Sequence, residues 1–556
     1  MRFLSVNIDS FLIELPSPEE TLALYRTLSS HKTLAIQELV PAARTILVIF
    51  DDLRTNTKTL VQQIQQLQWD RADQQHAQEC VIPICYDGED LAQVAELQGL
   101  SIAELISRHQ HSLWQVAFIG FAPGFAYLSS PDRPFSDIPR LATPRKKIPA
   151  GALGLAGQYS GIYPKDSPGG WQLIGSTTTA MWDLSRSKPA LLTPGMSVIF
   201  EDVSHAPSRV AVSTTLSSTT LSPSLNSETE TLKNTDIATA THTQTQVTQH
   251  NASLAMLSIT AAALQMLVQD EGRFKQAHQG VSHAGAMDRF AMHSANRMVG
   301  NPPQSAVVEI LNGGFKANIH HATVIAVTGA QSDIKVYFSD GRSAQFSSYQ
   351  SIALDAGDAF LIQNPHAGLR HYLAIRGGIA VPAVLGSCSY DSLAALGPAP
   401  LQLGDTLYSA QLNCQPISPY EAAMPQLPKV GDVVELDLVL GPRPDWFSPE
   451  SIKLLFQQHW QVSHDSNRVG LRLLGEQALQ RKITHELDSE GTCIGALQIP
   501  PNGQPVLFMH DHPLTGGYPV IGAVAKHHWN LVAQIPAGCQ IKFNLFSDIT
   551  AFENAL

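Results

Sequence analysis

The sequence lacks the patterns that define several large classes of protein. It has only six cysteines in 556 residues, and none forms a C-x-x-C pair, so neither a disulfide framework nor a cysteine zinc site is expected. It has no long basic run, and its formal net charge is −12, which argues against nucleic acid and anionic membranes as partners. The longest apolar run, near Val116–Leu128, is broken by Gly120, Pro123 and Gly124, so no membrane span is predicted.

The sequence also lacks two common catalytic motifs and a secretion signal. There is no G-x-x-x-x-G-K-[ST] loop and no H-E-x-x-H helix, which excludes P-loop nucleotide binding and that class of zinc hydrolase. Asp9 interrupts any apolar signal core, so we expect no secretion signal. With scattered, reduced cysteines, the expected location is cytoplasmic. Hydrophobic residues make up 44% and charged residues 15% of the chain, which is typical of packed globular domains.

The chain divides at one change of composition. Ser213–Ala252 consists mostly of Ser, Thr, Asn and Gln without glycine or aromatic residues, so a disordered linker is predicted there. The fold class predicted is mainly β with α+β. The predicted domains are a small α+β domain over 1–88, a β-barrel or sandwich over 89–212, the linker over 213–252, and two further domains of the same β-rich pattern over 253–425 and 426–556.

Local signals place the main elements. Ser17-Pro18-Glu19-Glu20 and Ser101-Ile102-Ala103-Glu104 are typical helix starts. A second helix is predicted around Leu60, Ile64 and Leu67. Further helices are expected near Met287–Val299 and Pro449–Gln458. Strands are predicted at Thr45–Phe50, Val81–Tyr86, Thr323–Thr328, Ala359–Ile362 and Leu436–Leu440.

The densest candidate segment of the first half combines glycines with basic residues. Gly120–Leu128 is followed by Pro144–Gly151 and Ser167–Gly175. Glycines let backbone N–H groups approach a ligand, and a basic trio can hold a carboxylate or phosphate. The segments predict an anion pocket whose nucleotide-binding residues are Arg145, Lys146, Lys147, Gly169 and Gly170. The alternative is that the glycines serve tight turns and the basic residues form a solvated surface.

In the second half, acids stand beside arginines. Asp270 and Asp288 are predicted to accept a proton or orient an amide, and Arg273 to bind a carboxylate as a fork. Structural ion pairs are the alternative for such neighbours. A later set of candidates comprises Arg468, Arg472, Asp511, Gly516, Gly517 and Tyr518.

Histidines offer only weak metal motifs. His510-Asp511-His512 alternates as two ligands on one strand face would, but no third ligand can be named, and a polar loop is favoured. The pairs His320-His321 and His527-His528 are weaker still. The sequence therefore assigns no metal ligands.

The motifs of both halves resemble a known pair of families. Phe118–Leu128, with Pro144-Arg145 and Gly169-Gly170-Trp171, is similar to the allophanate hydrolase subunit 1 family, which also includes the B subunit of 5-oxoprolinase. Gln269–Arg273 and Thr515–Pro519, with the segments around Asp288, Arg468 and Ser489, resemble the allophanate hydrolase subunit 2 family, or the C subunit of 5-oxoprolinase. His512-Pro513-Leu514 departs from the polar run that many relatives carry before the glycine pair.

The resemblance implies cyclophilin-like barrels and ATP-dependent opening of 5-oxoproline to glutamate with a separate A subunit. ATP is then a cosubstrate, with Mg²⁺ expected. Matched positions suggest Asp270, Asp288 and Asp511 as catalytic residues. They suggest Arg273, Arg468, Arg472, Gly516, Gly517 and Tyr518 as substrate-binding residues. The alternatives are a carboxyltransferase component of a urea carboxylase system and a regulator that binds a histidine kinase. A homo-oligomer is left open.

Overall fold

A computed structural model describes residues 1–69, 78–135, 137–204, 254–424 and 426–546 of the chain. These residues form four bodies in chain order and are mainly β, as predicted. The predicted linker over 213–252 lies outside the described residues. Within the described ranges, no helix is long and apolar enough to cross a membrane.

The first body is a four-stranded antiparallel sheet covered by two helices, with strand order β1-β2-β4-β3. As predicted, Ser17 caps the first helix by accepting a hydrogen bond from the Glu20 N–H. Apolar faces of both helices pack on the sheet. The elements are β1 Arg2–Asn7, β2 Ser10–Glu14, α1 Pro18–Ser30, β3 Ile36–Pro41, β4 Thr45–Phe50 and α2 Thr57–Gln66.

The second body is built on a seven-stranded sheet of order β12-β9-β10-β7-β6-β13-β5. Strands β8 and β11 form a separate two-stranded sheet. Ser101 and Glu104 form the predicted capping box at the start of α4. The elements are β5 Glu79–Ile84, α3 Leu91–Leu97, α4 Ile102–His111, β6 Trp114–Ile119, β7 Ala126–Ser129, β8 Arg145–Ile148, β9 Ala152–Ala156, β10 Tyr159–Ile162, β11 Ser167–Gly169, β12 Gln172–Ser176 and β13 Ser197–Asp202.

Strand β5 corrects the predicted boundary of the small domain. The sequence places the Val81–Tyr86 strand within residues 1–88, but β5 pairs in parallel with β13 of the second body. Ile82 and Ile84 are fully buried in that body's core. The small domain therefore ends before β5.

The third body consists of two sheets that share one apolar core, with orders β20-β19-β22-β17-β14-β24 and β15-β16-β23-β18-β21. The helix predicted near Met287–Val299 is α5, Arg289–Met298. The strands are β14 Ala255–Ala261, β15 Gln265–Gln269, β16 Val307–Leu311, β17 Phe315–Ile319, β18 Thr323–Gln331, β19 Asp333–Tyr337, β20 Ser343–Ser347, β21 Ser351–Leu354, β22 Ala359–Ile362, β23 Ala367–Ile375 and β24 Thr406–Tyr408.

The fourth body is a closed barrel, β25-β32-β29-β30-β27-β26-β33, with a small β28-β31 sheet beside it. Its elements are β25 Val433–Leu440, α6 Pro449–Gln457, β26 Trp460–Val462, β27 Gly470–Leu474, β28 Glu490–Gly491, β29 Ala496–Gln498, β30 Val506–Phe508, β31 Thr515–Gly516, β32 Val520–Val524, α7 Trp529–Val532 and β33 Gln540–Leu545. A 3-10 turn at Lys526–His528 joins β32 to α7.

The small domain packs on the closed barrel, although the two are far apart in the sequence. Val6, Leu12 and Leu47 form one apolar cluster with Phe508 and Val520. Arg443 of the barrel adds an ion pair with Glu14, 2.7 Å between Nη2 and Oε1. The amino-terminal half therefore meets the carboxy-terminal half over a mixed apolar and charged interface.

Candidate functional site

A cavity of about 130 Å³ lies where the small domain, the third body and the closed barrel meet. Apolar side chains such as Val40, Phe274 and Ile494 form part of its wall. The ionisable side chains among its lining residues are Asp9, Glu38, His283, Arg289, Cys493, His512 and Lys526. An apolar pocket with a few polar groups drawn from several elements is the usual form of a small-molecule site.

The small domain contributes a carboxylic acid that titrates near neutrality. Glu38 stands on β3, and its Oε2 accepts a hydrogen bond of 2.7 Å from the Lys275 N–H of the third body. Burial raises the pKa of Glu38 to about 7, against the opposing effect of the hydrogen bonds from Lys275 and Ala277. Near pH 7 this group can therefore both donate and accept a proton.

A second carboxylate on the cavity is paired. Lys526 Nζ lies 3.2 Å from Asp9 Oδ2 and 3.0 Å from Asp52 Oδ1. Burial raises the pKa of Asp9, while Lys526 counteracts it. The three groups connect the turn of the small domain to the end of β32.

Arg289 is the cation that the third body places on the cavity. It is the first residue of α5, and its Nη2 donates to the Glu271 carbonyl at 3.2 Å and to His283 Nδ1 at 2.9 Å. Its Nε–H makes no hydrogen bond among the described residues, but Nε lies 3.8 Å from the Glu271 Oε2 carboxylate oxygen. Burial, and secondarily the charge of Arg289, lower the pKa of His283 to about 3. His283 is therefore neutral and serves as an acceptor, while Arg289 retains N–H capacity for a ligand.

Several residues predicted from the sequence form a buried ionic network behind this cavity. Arg468 is 1% exposed and contacts Asp511 through Nε and Nη2, both at 2.9 Å. It also hydrogen-bonds Glu309 of β16 and, at 2.7 Å, the Gly285 carbonyl. Asp511 additionally accepts from the Ser392 N–H and hydroxyl. The network joins the closed barrel to the third body.

Asp288 caps a helix, a role that could not be predicted from its motif. The sequence predicts that it faces a substrate, but it is the N-cap of α5, where Oδ1 accepts from the Ala291 N–H at 2.9 Å. Its Oδ2 accepts from the Gln534 amide at 2.8 Å. Burial raises its pKa to about 6. Since both oxygens are used inside the protein, these contacts fix the helix that carries Arg289.

Asp270 and Arg273 also face inward. Asp270 Oδ1 accepts from the Ser389 hydroxyl at 2.6 Å, and Oδ2 accepts from the Cys388 N–H at 2.6 Å. Arg273 is 1% exposed and donates to the carbonyls of Val384 and Ser389. Arg273 therefore donates to backbone through Nε and Nη2, while its buried Nη1 has no hydrogen-bond partner among the described residues. Its role in binding a carboxylate stays a prediction.

The remaining predicted substrate residues lie elsewhere on the barrel. Arg472 is exposed on β27, and Tyr518 is 45% exposed with the Arg481 guanidinium 5.4 Å from its ring centre. Gly516 pairs with Glu490 between β31 and β28, and Gly517 follows it. None of these four lines the cavity. Their role in substrate binding stays a prediction.

The predicted nucleotide residues sit on the β8–β11 sheet of the second body. Arg145 Nη2 lies 2.8 Å from Asp90, and Lys147 Nζ lies 2.8 Å from Asp166, whereas Lys146 is exposed. Gly169 packs against Tyr163, and Gly170 lies near the Leu141 carbonyl. Two of the three cations thus already have a carboxylate partner, and nucleotide binding here stays a prediction.

The glycine-rich loop 120–124 contacts the other half of the chain. A Cβ on Gly120 would lie 2.1 Å from the Thr515 hydroxyl oxygen of the closed barrel. The Gly124 N–H donates to the Gln279 carbonyl of the third body at 2.9 Å. The first glycine therefore permits close contact between the two halves. The anion pocket expected from this segment stays a prediction.

The residues that sequence reasoning missed are mainly those on the cavity. Arg289 belongs to the Gly285–Arg289 motif, in which the sequence analysis selected Asp288 and not the arginine that lines the cavity. Glu38 and Asp9 carry no motif, because their setting arises from contacts with residues more than two hundred positions away. Only the fold brings Glu38 to the third body and Asp9 to the closed barrel.

Comparison with known families matches both halves. The model described as "Carboxyltransferase domain, subdomain C and D" matches residues 1–192. The model described as "Carboxyltransferase domain, subdomain A and B" matches residues 279–545.

Curated relatives agree with this division. The C subunit of 5-oxoprolinase from Escherichia coli (strain K12) is 34% identical over 294 residues, which is 52% of this chain and 90% of that protein. The B subunit of 5-oxoprolinase from Escherichia coli O157:H7 is 39% identical over 173 residues, 30% of this chain and 77% of that protein. Urea amidolyase of Saccharomyces cerevisiae is 30% identical over 310 residues, 52% of this chain but only 16% of that protein.

A solved structure shares the whole arrangement. The crystal structure of TTHA0988 superposes with a TM-score of 0.78 at 29% identity. The match covers 97% of this chain and 100% of that one. The order and packing of the four bodies are therefore found in at least one other protein.

Proposed function

The chain belongs to the family of the 5-oxoprolinase B and C subunits, which it joins in one polypeptide, and on that premise we propose that it is the lactam-binding component of an ATP-dependent 5-oxoprolinase. Its task would be to bind 5-oxoproline and to assist opening of the ring to glutamate. A separate A-type subunit would complete the reaction.

The observation that carries this proposal is that Glu38 and Arg289 both line one small cavity between the two halves. 5-Oxoproline is a small ring with one carboxylate and one lactam. Arg289 supplies a guanidinium whose Nε–H makes no hydrogen bond to a described residue, with Glu271 as its ion-pair partner at 3.8 Å, and a planar guanidinium suits the carboxylate. Glu38 supplies a group that exchanges a proton near pH 7.

The lactam resists water because its nitrogen lone pair is delocalised into the carbonyl. Ring opening adds water to the carbonyl carbon and breaks the C–N bond, and the nitrogen must gain a proton as it leaves. We assign protonated Glu38 as the acid that supplies this proton. Arg289 would hold the substrate so that the nitrogen faces Glu38.

ATP is proposed as the cosubstrate, together with Mg²⁺: transfer of its terminal phosphoryl group to the lactam oxygen would release ADP and make the carbonyl carbon electrophilic, and attack of water there would open the ring and release phosphate. Arg145, Lys146 and Lys147 are the predicted phosphate ligands, but the first and last already pair with carboxylates. They do not form an open phosphate cradle within the described residues. We therefore propose that the nucleotide acts on the assembled enzyme, and that this chain contributes substrate binding and proton transfer.

The test is glutamate release from 5-oxoproline and ATP by the purified chain, alone and with candidate A-type subunits. We expect little product from the chain alone and turnover when the correct partner is added. Robust turnover by the single chain would contradict the division of labour. No turnover with any A-type subunit would contradict the assigned substrate.

A carboxyltransferase component of a urea carboxylase system is the second candidate. The similarity to urea amidolyase and the descriptions of both matched families favour it. It predicts activity only with a biotinylated carrier and a urea-type substrate. Adding such a carrier to the same assay distinguishes the two functions.

A further inference from the structure

Three side chains of ligand type meet at one end of the closed barrel, outside the cavity lining. Asp437 stands on β25, and His527 and His528 stand on the 3-10 turn after β32. The Nε2 atoms of His527 and His528 lie 2.9 Å and 3.3 Å from the same Asp437 Oδ2. One ligand atom from each residue falls within 4.8 Å of the other two.

The backbone holds these residues in place. β25 and β32 are antiparallel neighbours with Leu438 opposite Val524. The Ala525 N–H donates to the Asp437 carbonyl at 2.9 Å, and the His528 N–H donates to the Ala525 carbonyl at 2.9 Å. The three ligands are thus positioned by a strand ladder and a tight turn, so an ion would need little reorganisation of the backbone.

The hydrogen bonding of the cluster is incomplete. His527 Nε2 has hydrogen-bond geometry with Asp437, but the buried His528 Nε2 has none with any described residue. One carboxylate oxygen faces both imidazoles, so it serves one of them well and the other poorly. A cation between the three groups would satisfy the second imidazole.

We propose that Asp437, His527 and His528 form a binding site for Zn²⁺ or a similar borderline divalent ion such as Ni²⁺. Two nitrogen ligands and one oxygen ligand match this class of ion and leave coordination positions for water or a further ligand. Mg²⁺ and Ca²⁺ prefer oxygen ligands throughout and are not expected here. The relative exposures of 34%, 46% and 21% for the three side chains leave the site open to solution.

An occupied site would also affect the contact between the two halves. Lys526, which directly precedes His527, pairs with Asp9 and Asp52 of the small domain. Fixing the turn would reduce the freedom of Lys526 and so stabilise that contact. We therefore expect Zn²⁺ to raise the melting temperature of the intact chain.

The test is a calorimetric titration of the metal-free, full-length chain with Zn²⁺, repeated with Mg²⁺. We expect one Zn²⁺ ion per chain and no heat of binding with Mg²⁺. His527→Ala, His528→Ala and Asp437→Asn should each weaken Zn²⁺ binding by about tenfold or more. They should also abolish the rise in melting temperature.

The chain offers a matched control in its other adjacent histidine pair. His320 contacts the Ser258 hydroxyl, and His321 contacts the Ala255 carbonyl, with neither near a carboxylate in the described contacts. His320→Ala/His321→Ala should leave the tight Zn²⁺ site intact. The proposal is overturned if this control removes binding, or if the folded Asp437 and His527 variants bind Zn²⁺ like the parent.

Discussion

At the scale of the residue, the pKa of Glu38 is determined by its burial in the fold. Its pKa of about 7 arises from burial between the small domain and the third body. The folded pKa lies above the ordinary 4.5, so the folded chain binds this proton more tightly than the unfolded chain. Glu38 therefore costs stability progressively as pH rises from about 4.5 to 7, and the cost is complete above pH 7.

The first prediction follows from this loss of stability as pH rises. Glu38→Gln removes the ionisation but keeps the shape, so it should raise the melting temperature at pH 8 and change it little at pH 4. In the assembled enzyme it should also lower turnover and remove the decline above pH 7. Glu96→Gln, on the exposed side of α3, should change neither. An equal effect of Glu38→Gln at both pH values would contradict the assignment.

The second prediction concerns the two arginines of neighbouring motifs. Arg289→Lys keeps a charge but loses the planar fork, so 5-oxoproline binding measured by calorimetry should weaken by about tenfold or more, with the fold retained. Arg273→Lys loses donors to the Val384 and Ser389 carbonyls. It should lower the melting temperature instead. The reverse pattern would place the carboxylate site at Arg273.

The comparison of Arg289 with Arg273 shows how much of a binding site can be predicted from residue types alone. The sequence located the Gly285–Arg289 segment, but neither spacing nor composition shows that Arg289 lines the cavity and Arg273 does not. Asp511 and Arg468 were found as charged residues in glycine-rich motifs. Their enclosure in an ionic network depends on Glu309, 159 positions before Arg468.

At the scale of the element, the glycine-rich loop 120–124 gives the third prediction. Gly120→Ala places a methyl group against the Thr515 hydroxyl, and such overpacking typically costs about 1–3 kcal/mol. The melting temperature of the chain should fall accordingly. Gly170→Ala is the matched control, because its nearest neighbour would be 3.7 Å away. Equal effects of both variants would show that the Thr515 contact does not limit the loop.

Helices and strands that are determined by neighbouring residues in the sequence were predicted correctly. β4 and β22 match the predicted strands at both ends, and the caps of α1 and α4 are formed as expected. The error at β5 has a non-local cause, since its parallel partner β13 lies more than one hundred residues later. Alternation of apolar residues identifies a strand but does not identify its sheet.

At the scale of the whole molecule, buried histidines predict acid sensitivity. Burial lowers the pKa values of His109 and His283 to about 3 and of His371 and His512 to about 4. The unfolded chain takes up these protons near pH 6.5, whereas the folded chain does not. Their contribution to stability is therefore complete above pH 6.5 and is lost as pH falls toward 4.

The fourth prediction is a fall in melting temperature between pH 7 and pH 5. Each such histidine contributes a slope of about 1.4 kcal/mol per pH unit in this window. His371→Gln should reduce the pH dependence even if it lowers stability at pH 7. An unchanged pH dependence of the melting temperature in His371→Gln between pH 7 and pH 5 would contradict the buried, neutral state of His371.

The halves of the chain are expected to fold separately and to associate, because each contains its own cores. The cavity, however, takes Glu38 from one half and Arg289 from the other. If this cavity is the substrate site, neither half is sufficient for binding.

The most direct measurement is a calorimetric titration of 5-oxoproline into the intact chain, into residues 1–204 and 254–556 separately, and into their equimolar mixture. We predict binding by the intact chain and by the mixture, and none by either half. Binding by one half alone, with the affinity of the intact chain, would contradict a site formed between them.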